Sequence, residues 1–299
     1  MLSWSGDGSI LASADSDGVR IWRTADGAEQ LLLPGYSEAV WLDKSGAEVF
    51  ANSGGSIRHW HLEKSLDGRW SASQSVVIAS APAEGKLSVS DDATVLAWIH
   101  GSRLHLFREG RDHEVEHGQE LAETVSVSPD GKWVAVGTRN HVGARVFHAD
   151  TGAFAWKTDI RYGTHLEFSS DSRRLAIGSE TGCYIFDVYA GQKLWHHAPN
   201  PGEEPSFWEV AFSPDNRLVA WTPKSSQVQL IDAATGNEIL TLDYPTRRYI
   251  TRLKFSPDGR WLAEASNKHT IHLWDIAGLH QRLAAMNLGW SHERTEVHR

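Results

Sequence analysis

The chain has 299 residues, 40% of them hydrophobic and 22% charged, with a net charge of -9 at neutral pH and a single cysteine, Cys183. This balance supports a buried core and excludes a disordered chain or an internal disulfide framework. The acidic excess argues against general affinity for a nucleic-acid backbone, which requires clustered Lys and Arg. No apolar run reaches the roughly 18 residues of a membrane span, and no secretory leader pattern precedes the first structured segment, so a cytoplasmic setting with no membrane partner is expected.

Internal repetition organises the chain. Turn sequences begin at Ser5 (SGDG), Asp43 (DKSG), Ser90 (SDDA), Ser128 (SPDG), Ser169 (SSDS), Ser213 (SPDN) and Ser256 (SPDG), 38 to 47 residues apart. A second series keeps step with the first: Trp22, Trp60, Phe107, Phe147, Phe186, Ile231 and Trp274 each end a short alternating segment, again at intervals of 38 to 47. A period of about 40 to 45 residues predicts one four-stranded propeller blade per copy. Seven copies fill the chain.

In the first copy, Gly27 marks a turn after Trp22, and EQLLL follows as the expected outer strand. In the second, His59 and His61 flank Trp60 and face one side of a strand. No Cys, Asp or Glu at a recognisable spacing completes a metal site, so both are read as strand residues. In the third, His113 and His117 fall on the expected outer strand and are read as solvated rim residues. The fourth copy displays the physics of one unit. Val125 and Val127 alternate with serines, as in a strand with one buried face. Pro129 presets φ, Asp130 can bond the backbone and Gly131 tolerates positive φ, so SPDG reverses the chain. WVAV, ARVF and, after Gly152, FAWK supply the remaining strands.

In the fifth copy Cys183 opens a strand with no basic residue beside it, which fits a structural thiol. KLWHH follows Gly191 as its outer strand, with His196 and His197 on the rim; EILTL follows Gly236 in the sixth copy. After Trp274 the pattern changes period. Ile276, Leu279, Leu283 and Met286 share one helical face, with Asp275 as N-cap and Gly289 as the stop. The last blade is therefore expected to have three strands, with a helix covering the unpaired edge around Ile271. The fold expected is all-β, a seven-bladed β-propeller of four-stranded antiparallel blades over residues 1–275, followed by a short helix and tail over 276–299.

The segments WSGDGSILASADSDGVRIW (Trp4–Trp22) and KFSPDGRWLAEASNKHTIHLWD (Lys254–Asp275) resemble the core pattern of the WD-repeat family, and the resemblance extends over nearly the whole chain. Blade 1 keeps Ser13, Asp17 and Trp22 of that family's buried polar network. No blade carries its Gly-His pair, and the Trp-Asp ending survives only at Trp274 and Asp275, so individual blades should rely on apolar contact. Such degenerate copies and the helical ending resemble bacterial members, including multidomain signalling proteins. The family usually closes its ring with an N-terminal strand, and Met1 falls at the start of an innermost strand; the chain is expected to continue upstream, as the C-terminal part of a longer protein.

The resemblance implies a non-catalytic scaffold that binds a protein or peptide on the face where the innermost strands begin. By alignment that mouth holds Tyr36, Tyr162 and Tyr249 at one register, with Trp208 nearby, joined by Arg139, Arg161, Arg247 and Arg248 and by Lys224 and Lys268. Aromatic residues concentrate binding energy, and basic residues beside them suit an acidic or phosphorylated peptide. No phosphate loop, nucleophile elbow or spaced carboxylate pair stands out, and no catalytic residue, metal or cofactor is assigned. The alternative is a propeller enzyme or small-molecule binder with its site in the central channel.

Overall fold

The computed structural model describes residues 1–35, 37–53, 55–80, 87–119, 121–138, 143–160, 165–199, 208–244, 249–267 and 270–290. Seven antiparallel sheets, each built from strands consecutive in sequence, form the blades of a propeller. They span residues 2–34, 37–80, 87–116, 122–157, 165–197, 210–243 and 250–275. Five blades have four strands, and the last has three, Ile250–Phe255, Trp261–Ser266 and Thr270–Asp275.

The repeated turn explains why the blades form locally. Ser128 Oγ donates to Asp130 at 2.7 Å and accepts from the Trp133 backbone N–H at 2.9 Å, which tethers both sides of the reversal. Ser5, Ser90, Ser169, Ser213 and Ser256 make the same pair of bonds. All six hydroxyls are buried, so each bond satisfies a backbone group that water does not reach. Blade 2 inverts the chemistry: Asp43 accepts directly from the Ala47 and Glu48 N–H groups, and Ser45 donates to it.

Seven apolar clusters hold the ring, one at each seam between neighbouring blades. At the seam of blades 5 and 6, Ile185 and Cys183 meet Val219, Trp221 and Ile231, all fully buried. Burying one such aliphatic side chain contributes roughly 1.5–3 kcal/mol. The seam that closes the ring has the fewest buried side chains, Leu2, Trp4 and Leu11 of blade 1 against Ala263 of blade 7, with Trp22, Trp261, Ala265, Ile271 and Leu273 half-buried around them. Hydrogen bonds from Trp4 Nε1 to the Lys254 carbonyl at 3.3 Å and from Arg252 Nε to Met1 Sδ at 3.2 Å cross it. Among the described residues no strand of blade 7 pairs with one of blade 1.

Three departures from the sequence reading have physical causes. Blade 2 has a divided outer strand: Trp70–Ala72 pairs with the far end of Ser56–Lys64, and Val76–Ser80 pairs with its near end. This division accounts for the longest repeat interval. His117 is not a solvated rim residue but fully buried, bonded to the Gly101 carbonyl at 3.0 Å and accepting the Gln119 N–H at 3.2 Å. Burial holds its ring below the ordinary histidine pKa. The helix α1 (Ile276–Ala285) does begin at Asp275, whose side chain accepts the Gly278 N–H. It ends at Ala285, earlier than Gly289, with Met286 as its cap and Asn287, at φ of 59°, turning the chain. Ile276 and Leu279 draw α1 onto the cluster between blades 6 and 7, whereas Ile271 packs into the closing seam instead of beneath the helix.

Candidate functional site

The innermost strands of all seven blades surround a central channel of about 520 Å³. Blades 1 to 4 line it with residues such as Met1, Ser3, Trp41, Ser88, Thr124 and Ser126, and blades 5 to 7 with His165, Glu167, Glu209, Arg252 and Lys254. Alternation along the strands His165–Phe168 and Ile250–Phe255 puts His165 with Glu167, and Arg252 with Lys254, on the same channel-facing side.

The charged side of the channel is closed on itself. Glu209, its side chain only 6% exposed, accepts from Arg252 Nη1 at 2.6 Å and stands 2.9 Å from His165 Nδ1. Glu167 pairs with Lys254 Nζ at 3.0 Å. Burial keeps Glu167 above the usual carboxylate range although Lys254 draws it down. Each channel carboxylate is therefore held by a cation, which suits fixing the strands in register more than presenting open ligands to a divalent ion.

Of the expected mouth residues, Trp208 and Tyr249 are placed, each preceding an innermost strand, those of blades 6 and 7. Tyr36, Tyr162, Arg139, Arg161, Arg247, Arg248 and Lys268 lie outside the described residues. Tyr249 is 47% exposed, and its backbone is fixed by reciprocal bonding with Asn267. Trp208 is half-buried with φ of 52°, and its carbonyl lies so close to Gly178 that a Cβ there would sit 1.9 Å away. Neither aromatic is among the residues lining the channel. Lys224 is half-buried and engaged with a neighbour.

Two features escaped the sequence reading. The channel ion pairs join blades 5, 6 and 7, and nothing local announces such partners, although the i, i+2 spacing of His165 with Glu167 and of Arg252 with Lys254 is visible. Glu48 lies on the strand beside His59 and His61 and bonds both, Oε2 to His59 and Oε1 to His61 at 2.8 Å. A carboxylate does accompany that histidine pair, contrary to the spacing argument. Cys183 behaves as expected of a structural thiol: fully buried, its pKa is pushed far up by desolvation.

The profile of the WD domain, G-beta repeat family matches residues 236–275, which span the outer strand of blade 6 and all of blade 7. Among relatives, a guanine nucleotide-binding protein subunit beta from Arabidopsis thaliana is 26% identical over 66% of this chain and 54% of its own length. A WD repeat-containing protein WDS homolog, also from Arabidopsis thaliana, is 26% identical over 64% of this chain and 36% of its own. A Protein LST8 homolog from Drosophila melanogaster is 30% identical over 33% of each chain. The chain thus spans about a third to a half of the length of these relatives. With seven blades, these matches support a WD-repeat β-propeller. All three relatives are eukaryotic and lend no support to a bacterial kinship. No helix among the described residues is long and apolar enough to cross a membrane.

Proposed function

We propose that the chain is a non-catalytic scaffold that binds a protein or peptide at the mouth marked by Tyr36, Tyr162, Trp208 and Tyr249. The observation that carries this reading is Tyr249, a large aromatic left 47% exposed on a backbone held from both sides. A rigid aromatic of this kind supplies contact area at low entropic cost. Two similar proteins are named as subunits, one of a guanine nucleotide-binding protein and one of eukaryotic translation initiation factor 3, which accords with a role in assembly. Arg139, Arg161, Arg247 and Arg248 would favour an acidic or phosphorylated segment. The channel carboxylates, each paired with a base, speak for a scaffold over an enzyme. A cytoplasmic setting, without nucleic-acid or membrane partners, belongs to the same reading, as does a place at the C-terminal regulatory end of a larger bacterial signalling protein. That last element rests on the degenerate repeats and helical ending alone.

Capture of partners from extract by the wild-type chain and by Tyr162→Ala/Tyr249→Ala tests the site. The double variant should lose the proteins that wild type retains, and an unchanged set would overturn the assignment.

A further inference from the structure

The third blade carries a second cluster of ligating side chains, far from the channel and the mouth. Its two outer strands, Arg103–Arg108 and Arg111–Glu116, pair so that His105 stands opposite Glu114, with Asp112 two residues along on the same face. His105 Nδ1 lies 2.9 Å from Asp112 Oδ2 and 3.9 Å from Glu114 Oε1. One donor atom from each of the three lies within 4.8 Å of the other two.

Geometry separates this cluster from a chance gathering of surface charge. The His105 ring stacks flat on Trp98, 4.8 Å between centroids and 5° between planes, and its side chain is only 12% exposed. The nitrogen is thereby aimed at the carboxylates before any ligand arrives, and the strand ladder fixes the spacing of both acids. Arg103 pairs with Glu114 Oε2 at 3.8 Å, too long for a hydrogen bond, and leaves Oε1 as the oxygen facing His105. The Glu48 cluster differs: its carboxylate stands between two imidazoles, one oxygen to each, so the three do not converge on a common point.

We propose that His105, Asp112 and Glu114 bind a divalent transition-metal ion, Zn²⁺ in preference to Mg²⁺, as a clip between the two outer strands of blade 3. One imidazole nitrogen and two carboxylate oxygens form a mixed donor set suited to a borderline ion, with the remaining position open to water. On binding, any proton on Nδ1 leaves for solvent, and Nε2 carries the ring's remaining hydrogen. The outer strand buries little of its own surface, so an ion that ties it to its neighbour would stabilise the weakest part of the blade.

Calorimetric titration of the full chain with Zn²⁺ and, separately, Mg²⁺ tests the site, with Asp112→Asn, Glu114→Gln and His105→Asn beside wild type. Because Asp112 and Glu114 are exposed, the first two variants should melt like wild type in the absence of metal. The expected result is a tight Zn²⁺ event in wild type that weakens at least about tenfold in each variant, with Mg²⁺ weaker throughout. Equal Zn²⁺ affinity in wild type and Asp112→Asn would overturn the assignment. So would a tight event that vanishes in Glu48→Gln instead, or Mg²⁺ binding as strong as Zn²⁺.

Discussion

Glu264 takes the place beside Trp274 that Ser13 takes beside Trp22. In blade 1 the indole Nε1 donates to Ser13 Oγ at 2.8 Å; in blade 7 Trp274 Nε1 donates to the Tyr244 hydroxyl at 2.5 Å, and the Glu264 carboxylate Oε2 lies 3.5 Å from it. The register is the same, since Leu11 pairs with Trp22, Leu262 pairs with Trp274, and the polar partner lies two residues further on. A neutral hydroxyl has thus been exchanged for an ionisable group that is fully buried, and Oε1 has no hydrogen-bond partner among the described residues. Burial raises the Glu264 pKa from 4.5 to about 7.

The sign of the pH effect follows. Between pH 4.5 and about 7 the folded chain keeps a proton that the unfolded chain has released, so this group's contribution to stability falls as pH rises through that window. Glu264→Gln, which cannot ionise, should flatten this part of the stability–pH curve and gain up to about 3 kcal/mol over wild type above pH 8. Denaturant unfolding at pH 5 and pH 8 measures it; a wild-type curve that is level across the window would refute the assignment.

The serine turns offer a comparison of one motif at two burials. Ser128→Ala removes the acceptor of the Trp133 N–H inside the core and should cost about 1–3 kcal/mol. Ser65, which makes a similar bond to Asp67 on the exposed hairpin of blade 2, should cost under about 0.5 kcal/mol as Ser65→Ala. Chemical unfolding of both variants decides whether burial or turn chemistry sets the strength.

Removing one member of the buried channel pair should hurt more than removing both. Glu209→Ala leaves Arg252 short of its 2.6 Å partner and should cost about 3 kcal/mol or more. The double variant Glu209→Met/Arg252→Met should recover much of that loss, because neither charge is then desolvated alone. A double-mutant cycle on unfolding free energies reads the coupling.

Gly178 packs directly against the backbone at Trp208. Its added Cβ would meet the Trp208 carbonyl at 1.9 Å and Val210 Cγ1 at 2.8 Å, so Gly178→Ala must displace the chain at Trp208. A loss of about 2 kcal/mol is expected. Gly27→Ala, at φ of 69° with nothing within 4 Å, should cost about 1 kcal/mol from backbone strain alone. Thermal unfolding distinguishes the two.

The blades were legible in the sequence because their signals are local: a serine and an aspartate two residues apart, and an aromatic at the end of a strand some fifteen residues later. What lies across a seam is not local. Strand alternation places Glu209 on the channel side without indicating that Arg252 of the next blade and His165 of the one before will meet it. His117 was misread because its burial depends on a turn at Gly101, sixteen residues earlier in the chain. Glu48 was missed because a ligand on a neighbouring strand obeys ladder register, not sequence spacing. The helix stop was misplaced because Asn287 adopts the left-handed turn two residues ahead of Gly289. Of the expected mouth residues, Trp208, Tyr249 and Lys224 lie among the described residues.

The lean seam between Leu2, Trp4, Leu11 and Ala263 has a mechanical meaning. Six joints of the ring carry thicker side-chain clusters, and the connecting chain reinforces each of them as well. Among the described residues the seventh has the smallest buried cluster and no chain connection. Pulled apart, the ring formed by the described residues would unlatch where Trp4 meets the Lys254 carbonyl and Met1 meets Arg252, and open like a split washer, the other joints still intact.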